Sequence, residues 1–459
     1  MRLSRGSAFL ASAVLACSAW LMFYATGAFQ RAANQVMQRE VDRGHFSGTV
    51  LISRDTRVLF AKGYGLANAD WGIPNSLDTK FEIGSITKTF TATLIMQLES
   101  ERKLALSNGI CMYIENCPPA WSAVTLHHLL SHTSGIYNLT LAADFAREHV
   151  VPQTREEILA RFRTQPLAYT PGEKFEYSNS NYVLLAMVIE KVTGQPYESV
   201  LRQRILGPLD MNATGVVRRE SILPQHATGY RPGRTGSPEV DSPIDESWSF
   251  GAGSLYSTVG DLQKWSEALD SGKVLPQATL ARMWQPVKGE YGYGWQIPAL
   301  SLGRSNRRVV QHTGLVTGFV TVLQRFTDEH LTVIVLANNL ASQPRRVAQS
   351  LASLALGEHF VPSFDRDTVE LTPQILHRYA GDYELGGTIY TVTTHDGRLF
   401  VHDPLHPEYP ELELVAASET ELFLRDSGGE MIATQDGHGR VTGFILTQDG
   451  SSRIVRKVR

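Results

Sequence analysis

The sequence holds little cysteine, no excess of one charge and no repetition, and each shortage removes a class of function. Three of its 459 residues are cysteine, too few for a zinc framework or a scaffold built on disulfides. Cys111 and Cys117, in CMYIENC, have no further Cys or His at metal-ligand spacing, so no metal site is expected. Five residues lie between them, a closable loop in which an oxidising compartment would favour a disulfide. The formal net charge is −3, without a long basic run, which argues against a nucleic-acid partner. No period of solenoid type is present. The length exceeds one ordinary core, so two folded units and a leader are expected.

The leader is present in outline. Arg2 and Arg5 precede an apolar run from Ala8 to Phe29 that ends in YATGAF, with the small residues Thr26 and Ala28 at a cut point. That is the pattern of an export signal; left uncut, about 20 apolar residues also suffice to span a bilayer. A third reading takes VLAC as a lipidation site at Cys17, but the apolar run continues through Trp20, Leu21, Met22 and Phe23, which argues against it. All three place the body outside the cytoplasm, in the periplasm or medium or held at the membrane by residues 8–29.

Periodicity organises the remainder. Gln30 to Asp42 reads as a short helix, and Gly48 to Gly65 as two strands around Arg54-Asp55-Thr56. A helix follows Ser85 with Phe90, Leu94, Ile95 and Leu98 on one stripe; another spans Tyr182 to Val192 and stops at Gly194. Ser257 or Thr258 can cap a third, whose inner face is Leu262, Trp265 and Leu269. RRVVQHTG, GFVTVLQRF and LTVIVLANN read as three successive strands from Arg307 to Asn339, before a helix from Pro344 to Leu356. Strands at both ends with helices between predict an α+β domain over residues 30–359, its antiparallel sheet built from the two chain ends. Residues 360–367 read as a linker. From 368 to 459, short strands split by Asp396-Gly397, Ser427-Gly428-Gly429, Asp436-Gly437 and Asp449-Gly450 are the signature of a small antiparallel barrel or sandwich, and a lipocalin-like β-barrel is expected.

Three stretches could carry chemistry. In FEIGSITKTF, Ser85 and Lys88 lie one helical turn apart, on one face. A serine hydroxyl needs a base to attack a carbonyl, and an amine serves if it is neutral; the plainer alternative is a helix-capping serine beside a solvated lysine. In TPGEKFEYSNSNY, Tyr177 could pass protons and Asn179 could hold a substrate amide while bonding the lysine; alternatively Asn179 or Ser180 is a cap and Tyr177 a packing residue. In VVQHTGLVTGF, Gly314 would admit a substrate backbone, Thr313 could donate to a carboxylate, and His312 could supply positive charge near the tyrosine, or be an ordinary strand-end histidine.

Taken together, Ser-x-x-Lys opening a helix, Tyr-x-Asn before a helix and His-Thr-Gly on a late strand resemble the penicillin-recognising serine hydrolases. These are the class C β-lactamases, the D-alanyl-D-alanine carboxypeptidases and their D-aminopeptidase and esterase relatives. The resemblance runs from Phe46 to Leu356 and includes LHHLLSHTSGI (Leu126 to Ile136) and SFGAGSLYSTVGDLQKW (Ser249 to Trp265). It implies a β-lactamase-like fold with an all-helical subdomain. Ser85 would be the acylated nucleophile, Lys88 its base partner, Tyr177 the proton shuttle and Asn179 the residue that orients substrate and lysine. Backbone N–H groups of Ser85 and Leu315 would form an oxyanion hole, and His132 would fix a loop. No metal or organic cofactor is implied. His-Thr-Gly in place of Lys-Thr-Gly points to the carboxypeptidase and D-amino-acid peptidase branch, acting on short peptides. A β-lactam or ester substrate is the alternative, and a non-catalytic penicillin-binding sensor or scaffold a further one. Arg304, Arg307 and Arg308, just upstream, are candidates to meet a substrate carboxylate.

Overall fold

A computed structural model describes residues 27–458 except 143, 234–236, 303–304, 359–367, 386–387, 403, 405–410, 425–429 and 449–450. The leader as far as residue 26, with Cys17, the expected linker 360–367, and the turns at 427–429 and 449–450 lie outside the described residues. The chain forms two compact units. One holds the residues up to Ile297 with Val309–Leu356, and the other Pro298–Arg308 with Gly357–Arg459.

The first unit is built on a five-stranded antiparallel sheet. Its strands are β1 (Gly48–Arg54), β2 (Arg57–Tyr64), β3 (Val310–Val316), β4 (Phe319–Phe326) and β5 (Leu331–Ala337), in the order β3-β4-β5-β1-β2. β1 and β5 pair residue for residue from Gly48↔Ala337 to Arg54↔Leu331, so the chain ends meet at the sheet centre. Every residue of β5 is buried, as its nearly all-apolar sequence requires of a strand covered on both faces; the exception, Thr332, shares a hydrogen bond with Ser266 Oγ at 2.8 Å. The strand expected from Arg307 begins instead at Val310. Arg307 and Arg308 close a separate hairpin, Ala299–Leu302 with Ser305–Arg308, which belongs to the second unit. A charged pair ahead of Val309-Val310 suits that exposed hairpin better than a buried sheet.

Helices fill the rest of this unit. α1 covers residues 27–42, and α2 (Thr87–Ser100) is buried on nearly all sides. α3 is Leu126–Leu130 and α4 is Asn179–Thr193. α4 stops at Gly194, whose φ of 66° is the left-handed conformation that ends helices. α5 (Val259–Asp270) begins where the Thr258 side chain accepts a hydrogen bond from the Asp261 N–H, and it buries Leu262, Trp265 and Leu269. α6 is Pro344–Leu356. The Phe90 and Trp265 rings stack at 4.3 Å and tie α2 to α5. Cys111 and Cys117 are disulfide-bonded.

The second unit contains a closed antiparallel barrel of eight strands running from Gly381–Leu385 to Ser451–Lys457. It closes through Tyr383↔Lys457 and Glu384↔Arg456. Tyr383, Leu399, Leu422 and Phe444 fill its interior, and Tyr379 stacks on Phe444 from a short helix, Pro373–Tyr379. At Asp396-Gly397 both residues have positive φ (52° and 73°) between the paired His395 and Arg398, the two-residue turn that an Asp-Gly sequence favours. No helix among the described residues is long and apolar enough to cross a membrane.

Because α2 carries the Ser-x-x-Lys motif, its anchorage bears on function. Replacing Trp265 with Ala removes the largest ring beneath it and should destabilise the first unit by about 3–5 kcal/mol. Urea unfolding followed by tryptophan fluorescence tests this; a loss below about 1 kcal/mol would show that the stack does not anchor the helix.

Candidate active site

The chain enters the site along the short strand Phe81–Glu82, turns through a 3-10 turn at Gly84–Ile86, and continues as α2. Ser85 does not cap this helix. The capping position falls on Ile86, and no side chain bonds the first turn. The hydroxyl is therefore available to other groups, which decides against the plainer reading of the motif.

Two glycines let β3 run directly beside this turn. Gly84 has a φ of +50°, and a Cβ there would come within 2.8 Å of the Leu315 backbone nitrogen. A Cβ on Gly314 would meet the Ile83 carbonyl oxygen at 2.0 Å and Thr321 Oγ1 at 2.2 Å. The contacts with Leu315 and Ile83 cannot be relieved by a rotamer change, since both involve backbone atoms. The missing side chains thus set the backbone of Leu315 against the turn that carries Ser85. The Leu315 side chain itself points outward, 69% exposed.

Lys88 is fully buried. Its Nζ lies 2.9 Å from Ser85 Oγ, 2.8 Å from Asn179 Oδ1 and 2.7 Å from the Ala252 carbonyl oxygen. Two of these partners can only accept. A neutral amine has two N–H groups and one lone pair, so satisfying both carbonyls directs the lone pair at the serine hydroxyl. Burial alone holds the Lys88 pKa well below its ordinary value. The environment therefore favours the neutral, basic form.

Tyr177 completes the group. Its hydroxyl bonds Ser85, and burial holds the phenol above its ordinary pKa, so the side chain carries its proton at neutral pH. The Tyr177 ring faces Lys88 Nζ at 4.9 Å, and the Tyr182 ring faces it at 5.5 Å. Asn179 opens α4; its own N–H donates to Asn138 Oδ1 at 3.0 Å and its amide nitrogen to Thr140 Oγ1 at 3.3 Å. His132 positions the loop, as expected. Its carbonyl accepts from the Glu176 N–H at 2.9 Å and its Nδ1 from the Ser178 N–H at 3.2 Å.

His312 is present but differs in character from the expectation. It is buried, with Nδ1 at 2.7 Å from the Thr313 carbonyl oxygen and Nε2 at 3.0 Å from the Tyr291 hydroxyl. Burial, then the nearby Lys88 charge, pushes its pKa down to about 3. It is a neutral ring 6.4 Å from that of Tyr177, not a source of positive charge. The cation beside this strand is Arg345 on α6, which donates to Thr313 Oγ1 at 3.3 Å. Of the arginines singled out upstream, Arg304 lies outside the described residues, and Arg307 pairs with Glu358 at 2.8 Å within the second unit.

Sequence reading passed over Ala252, Thr140, Tyr182, Tyr291 and Arg345. Ala252 and Thr140 act through a carbonyl and a hydroxyl in loops, which no spacing rule marks. Tyr291 had a signal in GEYGYGW, Gly289 to Trp295. A Cβ on Gly294 would meet the Lys88 carbonyl oxygen at 2.8 Å, and one on Gly292 the Met283 carbonyl oxygen at 2.1 Å. Gly294 thus presses this loop onto α2, and Gly292 presses it onto the end of the helix Gln277–Met283.

Residues 31–357 match the Beta-lactamase family. The chain is 28% identical to penicillin-binding protein 4* of Bacillus subtilis, over 89% of this chain and 94% of that one. Among solved structures, it is similar to the octameric penicillin-binding protein homologue from Pyrococcus abyssi. That likeness has a TM-score of 0.67 and 25% identity, over 94% of this chain and 99% of that one. It is also similar to a D-stereospecific amidohydrolase from Streptomyces sp., with a TM-score of 0.60 and 27% identity, over 72% of this chain and 99% of that one. A matched domain over most of the chain, bringing together a serine, a buried lysine and a tyrosine, makes this protein a serine hydrolase of the β-lactamase and penicillin-binding protein family.

Proposed function

We propose that the protein is an exported hydrolase that is acylated on Ser85 and cleaves short peptides or amides containing D-amino acids, in the manner of a D-alanyl-D-alanine carboxypeptidase or D-aminopeptidase. The observation that carries this reading is the buried Lys88, with two obligate acceptors and a lone pair left for Ser85 Oγ. Ser85 Oγ attacks the substrate carbonyl carbon as its proton passes to Lys88 Nζ. Tyr177 delivers a proton to the leaving nitrogen and is resupplied through Lys88; the acyl-enzyme then opens when water attacks and its proton returns by the same groups. The oxyanion meets the N–H groups of Ser85 and Leu315, each donor contributing about 3 kcal/mol in comparable acyl transfer. Asn179 holds Lys88 and the substrate amide.

Substrate class follows from charge. The neutral His312 leaves Arg345, against Thr313, as the group that recognises a carboxylate, which suits a peptide with a free C-terminus. The likeness to a D-stereospecific amidohydrolase supports D-configuration. The Cys111–Cys117 bond and the leader sequence support export, with residues 8–29 as an attachment to the membrane if they are retained.

Three outcomes test this. Mass spectrometry should find penicillin bound to Ser85 in the wild type and none in Ser85→Ala. A D-Ala-D-Ala peptide should turn over faster than nitrocefin or p-nitrophenyl acetate. Turnover of the ester alone would overturn the peptidase assignment; a permanent adduct without turnover of any substrate would identify a sensor.

The second outcome concerns pH. Lys88 has a lower pKa folded than unfolded, where about 10.4 applies. Between those two values the unfolded chain binds more protons, so stability attributable to this group rises with pH. Activity should likewise rise as pH climbs through the lowered pKa. Urea midpoints at about pH 7 and about pH 9 should differ less in Lys88→Met than in the wild type; equal differences would place the lysine outside this role.

The third concerns the backbone approach. Gly314→Ala must push β3 away from the Ile83 turn, so the folded variant should lose roughly 100- to 1000-fold in kcat, the effect of one misplaced oxyanion donor. A variant with wild-type kcat would remove Leu315 from that hole.

A further inference from the structure

The mechanism above leaves a buried group unused. Tyr291 is fully enclosed in the first unit, with its hydroxyl 3.0 Å from His312 Nε2. The loop bearing it is fastened to β3 by reciprocal backbone bonds between Gln296 and Gln311, at 2.8 and 2.9 Å. Its ring stands edge-on to His132 at 4.7 Å and to Tyr177 at 6.1 Å.

The hydrogen-bond partners of His312 decide where its proton resides. The Thr313 carbonyl can only accept, so the nitrogen 2.7 Å from it, Nδ1, carries the hydrogen. In a neutral imidazole Nε2 then has the lone pair, and Tyr291 must be the donor. The alternative is an imidazolium donating at both nitrogens, and the surroundings oppose it. Arg345 on α6 acts on His312 as a positive neighbour, and Lys88 on α2 does so whenever it holds a proton. His132 adds a second buried imidazole, and Tyr177 and Tyr291 are phenols. No carboxylate among the described residues lies within ion-pair distance of His312.

We propose that Tyr291 is a positioning residue: by donating to His312 Nε2 it fixes the neutral Nδ1–H tautomer, so that the ring beside Tyr177 stays uncharged and Lys88 is the sole proton acceptor for Ser85. This deepens the proposed acyl-enzyme reaction and rests on it. Without the hydroxyl, Nε2 faces the cage unpartnered. Protonation then gains and the tautomer is no longer held. A cation at His312 repels the proton that Lys88 must accept from Ser85, so kcat falls while ground-state binding persists.

Nitrogen-15 imidazole spectra of the full chain, with the His312 signal identified by its loss in His312→Asn, test the assignment directly. From about pH 5 to about pH 8 the wild type should show a neutral His312 protonated on Nδ1. In Tyr291→Phe the ring should titrate at higher pH or populate the Nε2–H tautomer. Its kcat should fall by roughly ten- to a hundredfold, with KM changed less than about twofold and the acid limb of kcat moved to higher pH. An Nε2-protonated or cationic His312 in the wild type would overturn the proposal, and that spectrum stands even if Tyr291→Phe fails to fold. Identical spectra and pH profiles in wild type and Tyr291→Phe, with only a lower Tm, would overturn it too. If no substrate turns over, the spectra still judge the tautomer while the acyl-enzyme reading fails separately.

Discussion

An amine without a counter-ion sits at the centre of this molecule. Moving an ammonium group out of water costs several kcal/mol even after the surroundings relax, and among the described residues Lys88 has no carboxylate in compensation. Carbonyl oxygens and aromatic faces meet it instead: Ala252, Asn179, Tyr177 and Tyr182. These partners suit both protonation states. The two carbonyls satisfy the N–H groups of the neutral amine, and ring faces at 4.9 and 5.5 Å offer a cation a modest attraction. A carboxylate would instead have fixed the charge and removed the base. The cage therefore stabilises a lysine that can take up a proton briefly and give it back.

The same economy of charge explains the histidines. His132 and His312 are buried around the same amine, and each is held below its ordinary pKa by burial and by Lys88. Three basic groups share a pocket able to carry one proton at a time. Whichever holds it discourages the other two, and hydrogen bonds decide which that is. His132 Nδ1 accepts from the Ser178 N–H, and His312 has its Nδ1 hydrogen on a carbonyl, so both are committed as neutral rings. Lys88 alone has a lone pair directed at the Ser85 hydroxyl. An imidazole in the third motif can then replace a lysine without adding charge, while Arg345 on α6 retains the cation near Thr313.

Much of the scaffold was legible in the chain because its signals are local. The stop of α4 at Gly194, the cap at Thr258 and the Asp396-Gly397 turn each follow from one or two residues. The run Leu331 to Ala337 reads as a strand because it is rich in β-branched residues and apolar almost throughout, as a strand buried on both faces must be. Ser85, Lys88, Tyr177 and Asn179 were found through spacing, since each sits at a helix start or one turn into it. What failed was non-local. The charge state of His312 depends on burial and on Lys88, more than 200 positions away in the sequence. Arg345 and Tyr291 enter from segments whose only marks are an arginine pair on an amphipathic helix and glycines flanking a tyrosine. Arg307 was misplaced because an arginine pair before a valine pair does not say where a strand begins.

Glycines resolve the remaining difficulty, which is how four distant segments reach one serine. Side-chain packing holds helices 8–10 Å apart, too far for backbone groups of one element to serve another. At Gly84, Gly314 and Gly294 the missing Cβ lets strand and loop backbones come within contact of α2 and the turn before it. A Cβ on each of these glycines would meet at least one backbone atom at 2.8 Å or less, which no rotamer change can move away. The nucleophile is thereby fixed relative to β3, and Lys88 relative to the Tyr291 loop. Precision of this kind does not require a stronger interaction at the site. It comes from removing atoms, and the reactive groups inherit the rigidity of the sheet and helix on either side.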